Sequence, residues 1–233
     1  MKYPDAMQPM RTPPHDERDN QAADASLTPN PGTDTLTNQP TNPELVRGED
    51  GRIRPRWAAT DPLLRDYYDH EWGVPIRTER GLYERLSLEA FQSGLSWATI
   101  LRKRPAFRAA FADFEPDVVA AFDESDVHRL LADAGIVRNE RKIRAAITNA
   151  RATVSVRANG GLVPLIWSFQ PAPSTRPRSY AEVPAKVPES ERLAKALKKS
   201  GFVFVGPTTM YALMQAVGMV DDHLVGESGP ITQ

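Results

Sequence analysis

The chain has 233 residues and no cysteine, with 29 Lys and Arg against 30 Asp and Glu, a formal net charge of −1 and 40% apolar residues. The absence of cysteine excludes a disulfide framework, a thiolate nucleophile and a cysteine-ligated zinc. No window approaches the run of about 18 apolar residues that a membrane span needs, and the opening MKYPDAMQPM lacks the apolar stretch of a secretory signal, so a soluble cytoplasmic protein without a membrane partner is expected.

The even balance of charge hides a division. Residues 1–52 hold 8 of the 21 prolines, no Phe, Trp or Ile, and 5 basic against 9 acidic residues. Such a segment cannot bury enough surface to offset its ordering entropy and is expected to be a disordered tail. The remainder, 53–233, carries 24 basic and 21 acidic residues, a mildly basic stretch long enough for one domain with a sizeable core.

Along that domain the pattern is helical, so the expected fold class is all-α. Asp61-Pro62 reads as N-cap and first helical residue ahead of LLRDYYDHEW, which Gly73-Val74-Pro75 ends. Thr78 caps a second helix through about Gln92, with Leu82, Leu86 and Ala90 on one face, and Gly94 closes it. Ser96 opens a third, short helix over WATILRKR. Val127, Leu130, Leu131 and Ala134 repeat at helical spacing, as do Ile143, Ile147, Ala150 and Val154, on either side of a turn containing Gly135. Six prolines between Pro164 and Pro188 exclude a long helix there, apart from one turn around Leu165-Ile166-Trp167. Helices resume at 189–200 and 207–218, with GFVFV at 201–205 as a short extended piece between them.

Two stretches carry chemistry. ADAGIVRN, 132–139, has the shape of a helix-hairpin-helix turn, in which backbone N–H groups and a helix N-terminus can hold one phosphate without reading sequence. Arg138, Arg141, Lys142 and Arg144 add charge for a phosphate backbone, although an ordinary αα-hairpin with a solvated basic face has the same look. In LEAFQSGLSWATILRKR, 88–104, a carboxylate, Glu89, precedes the Gly94-Leu95 turn and Trp97 follows it, while Tyr67, Tyr68 and Trp72 supply aromatic surface upstream. A carboxylate accepts N–H groups and an indole stacks on flat or cationic rings, but the same residues also serve as core.

Taken in series, DPLLRDYYDHEWGVP (61–75), LEAFQSGLSWATILRKR, ADAGIVRNERKIRAAITNARA (132–152), IWSF (166–169) and KALKKSGFVFVGPTTMYALMQAVGMVDDH (195–223) resemble the DNA-3-methyladenine glycosylase I family over roughly 54–227. The resemblance implies a helix-hairpin-helix glycosylase fold and an enzyme that hydrolyses the N-glycosidic bond of 3-methyladenine in double-stranded alkylated DNA, starting base excision repair without a cofactor. By resemblance, Tyr67 and Trp97 match the family's base-stacking positions, with Trp57 and Trp72 at neighbouring aromatic positions as pocket wall or core. Glu89 matches the pocket carboxylate and is the candidate catalytic group, its role being base binding, transition-state electrostatics or both. Leu95, beside Gly94, looks like the wedge that fills the gap left by a flipped base, and Gly135, Arg138 and Lys142 like the DNA-backbone contacts.

One departure stands out. The family commonly carries a zinc site of two Cys and two His that joins the terminal segments, whereas here Pro55, Tyr68 and Glu227 stand at three of those positions and only His223 remains. No metal is therefore expected, and a Tyr68 to His223 hydrogen bond is the expected replacement clasp. The other histidines, His15 in the tail, His70 and His128, read as structural or solvent-facing. A monomer is expected. Two further readings are a non-catalytic helix-hairpin-helix DNA-binding module, which has no need of a cation-stacking pocket, and a glycosylase of this fold with another alkylated-base preference.

Overall fold

A computed structural model describes residues 40–231. Residues 1–39, with His15 and most of the expected tail, lie outside the described residues. The body is helical, as expected: α1 (Arg56–Ala59), α2 (Pro62–His70), α3 (Glu79–Gln92), α4 (Trp97–Ala110), α5 (Pro116–Ala120), α6 (Glu124–Ala132), α7 (Glu140–Val156), α8 (Leu162–Trp167), α9 (Pro188–Lys199) and α10 (Pro207–Ala216). No helix among the described residues is long and apolar enough to cross a membrane.

The capping chemistry read from the sequence operates as expected. Asp61 accepts from the Leu63 N–H and Thr78 from the Gly81 N–H. Ser96 accepts from the Thr99 N–H at 3.2 Å and starts α4. That helix runs through Pro105 to Ala110, six residues beyond its expected end, because its apolar side, Ile100, Leu101 and Phe107, is wholly buried and packing outweighs one missing N–H. Phe91, Phe107, Phe111 and Phe114 form the aromatic centre between α3 and α4, with Phe111 and Phe114 stacked at 5.5 Å. GFVFV is a loop rather than a strand. Phe204 has φ +57°, outside any ladder, and the Asn149 side chain on α7 bonds both backbone groups of Val203.

The boundary expected at residue 52 falls inside an antiparallel hairpin, β1 (Leu45–Arg47) with β2 (Ile53–Pro55), in register Leu45 to Pro55. Composition averaged over the tail concealed this piece, because its single apolar anchor, Leu45, is buried at 4% exposure by packing that only the folded body supplies. Arg54 is buried and its guanidinium bridges Asp69 on α2 and Asp50 in the hairpin turn. Removal of 1–52 should therefore destabilise the protein. Burial of Leu45 alone is worth about 2–3 kcal/mol, so a chain beginning at 53 should melt several degrees below one beginning at 40 in parallel thermal denaturation. Equal melting temperatures would show that the hairpin is not part of the cooperative unit.

Candidate base-binding site

α2 carries two adjacent tyrosines whose side chains point about 100° apart around the helix, and this splits the aromatic residues into two groups. Tyr67 turns toward α3 and α4, where its ring lies 5.4 Å from that of Trp97. Tyr68 turns the other way and meets Trp57 at 5.6 Å, Trp72 at 6.0 Å and His223 at 5.6 Å. Tyr67 and Trp97, expected to stack on the base, are brought together, while Trp57 and Trp72, expected as pocket wall or core, lie elsewhere. Trp57 and Trp72 belong to the Tyr68 cluster, with Trp72 4.7 Å from the His223 ring, so their packing is that of core.

Glu89 lies on α3 and is 6% exposed. Burial pushes its carboxyl up to about 7, and Arg85, one turn earlier on the same helix, draws it back toward the ionised form. No group among the described residues hydrogen-bonds the Glu89 carboxylate, and the buried Trp97 indole N–H likewise has no partner. A buried acceptor and a buried donor left open beside a ring pair are suited to a flat ligand with polar edges.

Sequence reasoning missed Arg85. Its guanidinium donates to the Tyr67 hydroxyl at 2.9 Å and to Glu71 at 3.2 Å. It also lies 5.1 Å from the Tyr67 ring centre and 5.6 Å from that of Trp97. Glu71 is claimed more tightly by Arg104, at 2.5 and 2.6 Å in a bidentate pair. Burial pushes the Glu71 carboxyl up, but Arg104 and Arg85 overcome it and hold the group below its ordinary value. The available signal was the four-residue spacing of Arg85 and Glu89, which puts them on one face of α3.

The loop between α3 and α4 carries Gly94 and Leu95. Gly94 has φ +80° and is exposed, with open space where a Cβ would stand. Leu95 is half-buried and rests against the core edge. Lys142, expected among the phosphate contacts, is instead turned inward. Its ammonium donates to the Phe91 carbonyl at 2.9 Å and the Ser93 carbonyl at 2.6 Å, satisfying the C-terminal end of α3, and burial lowers its proton affinity.

The α6–α7 turn has the expected helix, turn, helix form, with Asn139 capping α7 through the Lys142 N–H. Gly135 has a packing reason for its identity: a Cβ there would stand 2.9 Å from the Ala106 Cβ and from Asp133 Oδ1. Its N–H is already taken by Asp133 at 2.7 Å, so it does not point outward as expected. Lys103 on α4 collects the carbonyls of Ala134, Gly135 and Ile136 at 3.0, 3.0 and 3.3 Å, which pins the turn. The N–H groups of Val137 and Arg138 donate to no group among the described residues. Arg138 and Arg141 are exposed and form no ion pair there, whereas Arg144 is neutralised by Glu124 and Glu140.

The terminal segments are joined differently from expectation. Tyr68 donates to Glu227 at 2.8 Å rather than to His223, whose Nδ1 faces Asp221 at 2.6 Å. The physical reason is a second acceptor: the C-terminal segment lies along β2 through paired bonds between Ile53 and Ser228, and Ile231 bonds the Asp69 carbonyl. That brings the Glu227 carboxylate to the phenol. A four-ligand zinc does not fit here, because Pro55 offers no donor and Tyr68 and Glu227 satisfy each other. Among the described residues no group of three or more His, Asp or Glu could hold a metal ion. Burial raises the Glu227 carboxyl to about 7, against the opposing pull of Tyr68. The resulting stability is complete below about pH 4.5 and lost as pH rises through 7. Tyr68→Phe should cost about 1–3 kcal/mol in denaturant unfolding by leaving that carboxyl without its partner. An unchanged midpoint would remove Tyr68 from the clasp.

The family model described as methyladenine glycosylase matches residues 57–227. The DNA-3-methyladenine glycosylase 1 of Escherichia coli K12 is 48% identical over 174 residues, covering 73% of this chain and 92% of the relative. A crystal structure of a 3-methyladenine DNA glycosylase I is 46% identical with a TM-score of 0.72, covering 74% of this chain and 97% of that one. The Staphylococcus aureus 3-methyladenine DNA glycosylase I, solved to show the structural basis of its 3-methyladenine recognition, is 32% identical with a TM-score of 0.71, covering 75% and 95%. Fold and match agree: this chain belongs to the methyladenine glycosylase family.

Proposed function

We propose that this protein is a DNA glycosylase that hydrolyses the N-glycosidic bond of 3-methyladenine in double-stranded alkylated DNA, acting as a cytoplasmic monomer. The observation that carries the reading is the buried Glu89 carboxylate, without a hydrogen-bond partner, beside the Tyr67–Trp97 ring pair and the unpartnered Trp97 N–H. Family membership supports it. Methylation at N3 makes the base cationic. Electron-rich ring faces then favour it by about 0.5–2 kcal/mol over neutral adenine, and an ionised Glu89 can accept from its amino edge. Water adds to C1′, the bonding electrons leave with a neutral base, the excess proton passes to solvent, and an abasic site remains.

The base must leave the helix stack to reach a pocket, at a cost of a few kcal/mol that damage reduces. Leu95, half-buried beside the open Gly94 turn, suits the space the base vacates. The N–H groups of Val137 and Arg138, which donate to no group among the described residues, with the exposed Arg138 and Arg141 side chains, suit a DNA phosphate.

The test is incubation of the protein with N-methylated duplex DNA, with the released base identified by chromatography. Release of 3-methyladenine is the expected result. Binding without release would leave only a DNA-binding module, and release of a different base would overturn the assigned lesion. Because the ionised carboxylate is the acceptor, kcat/KM should fall as pH drops below about 7, where Glu89 takes up its proton.

A further inference from the structure

Arg85 is a buried cation that the family motifs and the proposed chemistry leave without a role. Its contacts converge on the site: the Tyr67 hydroxyl at 2.9 Å, the faces of both pocket rings within 5.6 Å, and Glu89 one helical turn away on the same face of α3. Its only ion-pair partner among the described residues, Glu71 at 3.2 Å, is shared with Arg104, which holds it bidentately. Two guanidinium groups therefore share one carboxylate. The buried cluster reaches neutrality only when Glu89 is ionised. A buried cation without compensation is expensive, and the same low-polarity surroundings that push the Glu89 proton on make Arg85 effective in removing it.

We propose that Arg85 is a positioning residue of the base pocket, holding the Tyr67 ring through its hydroxyl and serving as the internal counter-charge of Glu89, so that the carboxylate is ready to accept the base. This role rests on the proposed function for its purpose, but not for its physical content.

The groups that face Glu89 are few. From α3 itself comes Arg85 and from α2 Tyr67, around whose hydroxyl Glu71 of α2 and Arg104 of α4 also gather. On α7, Lys142 is engaged with the Phe91 and Ser93 carbonyls, and on α10 Tyr211 bonds Asp222. Arg104 holds Glu71 bidentately, so Arg85, with one longer contact to the same carboxylate, is the less fully compensated of the two guanidinium groups.

Two readouts on the full-length protein test this. The first is the titration of the Glu89 carboxyl by carbon-13 NMR, which needs no substrate. The second is the pH profile of kcat/KM for base release. Arg85→Met should move the Glu89 titration and the acid limb upward together by about one pH unit or more, the effect of removing an opposite charge at this range. Arg85→Gln, which keeps a donor for Tyr67 and serves if the methionine variant fails to fold, should move both in the same direction. Arg85→Lys should leave the limb near its original place. A lowered rate with an unmoved titration in the Met and Gln variants would overturn the proposal and leave Arg85 a structural residue. If the parent releases no base yet its Glu89 titration moves on substitution, the counter-charge stands and the glycosylase reading falls.

Discussion

Glu89→Gln should abolish most base release while making the protein more stable above neutral pH. The loss follows from the carboxylate's role as acceptor: a charge-assisted hydrogen bond contributes about 1.5–3 kcal/mol, so kcat/KM should fall roughly 10- to 100-fold. The gain in stability has a definite sign. The folded protein holds the Glu89 proton up to about pH 7, against an ordinary value of 4.5 in the unfolded chain. Between these values the unfolded chain sheds its proton first, so stability present below 4.5 is lost by 7. A separation of about 2.5 pH units amounts to on the order of 3 kcal/mol. A neutral glutamine escapes that penalty. The variant should therefore unfold at higher denaturant than the parent at pH 8 and nearly with it at pH 5. Affinity for undamaged duplex should stay unchanged, because phosphate contacts elsewhere supply it. A variant less stable than its parent at both pH values would identify Glu89 as a structural group, and full activity would remove it from the site.

Lys142→Glu should prevent stable folding, whereas Arg138→Glu and Arg141→Glu should fold normally and bind DNA less well. The ammonium of Lys142 is buried against the carbonyls of Phe91 and Ser93, at the negative end of α3 and at the root of the loop carrying Gly94 and Leu95. A carboxylate placed there meets acceptors with no donor, a change worth about 3–5 kcal/mol, which is a large share of a domain's total stability. Arg138 and Arg141 are exposed on the outward side of the hairpin turn. Each reversal should reduce the salt dependence of binding to undamaged duplex by about one ion for every phosphate that the variant no longer neutralises. The measurements are circular dichroism during denaturation and salt titration of binding. A well-folded Lys142→Glu protein with weakened DNA binding would return Lys142 to the phosphate-binding role that its sequence position suggests.

Local rules were legible where they needed only neighbours in the chain. Asp61, Thr78 and Ser96 cap their helices because a short polar side chain next to an apolar period is enough to start one. Val127 and Leu130 of α6 and Ile143, Ile147 and Ala150 of α7 are buried as their period implies, whereas Ala134 lies past the end of α6 and is exposed. The order of motifs carried the family, and the pairing of Tyr67 with Trp97 came with that resemblance rather than from their chemistry. A bare aromatic reads equally as core or as ligand surface, and Trp57 and Trp72 proved to be packed with Tyr68 and His223.

What the chain by itself determined about this protein is its helical character, its hairpin turn, its lack of a cysteine-based metal site and its family. The tertiary structure alone decided which way long charged side chains point. Lys142 and Arg138 lie four residues apart and look alike in sequence, yet one serves helix carbonyls inside and the other faces water. Likewise Tyr68 chose Glu227 over His223 because strand β2 holds the C-terminal segment at a register that no local pattern encodes. The physical reason is common to these cases and to Arg85: a polar group is directed by the unsatisfied partner nearest to it in space, and those partners, the end of α3, the Tyr67 hydroxyl beside Arg85 and the phenol of Tyr68, are brought near by packing between elements distant in sequence.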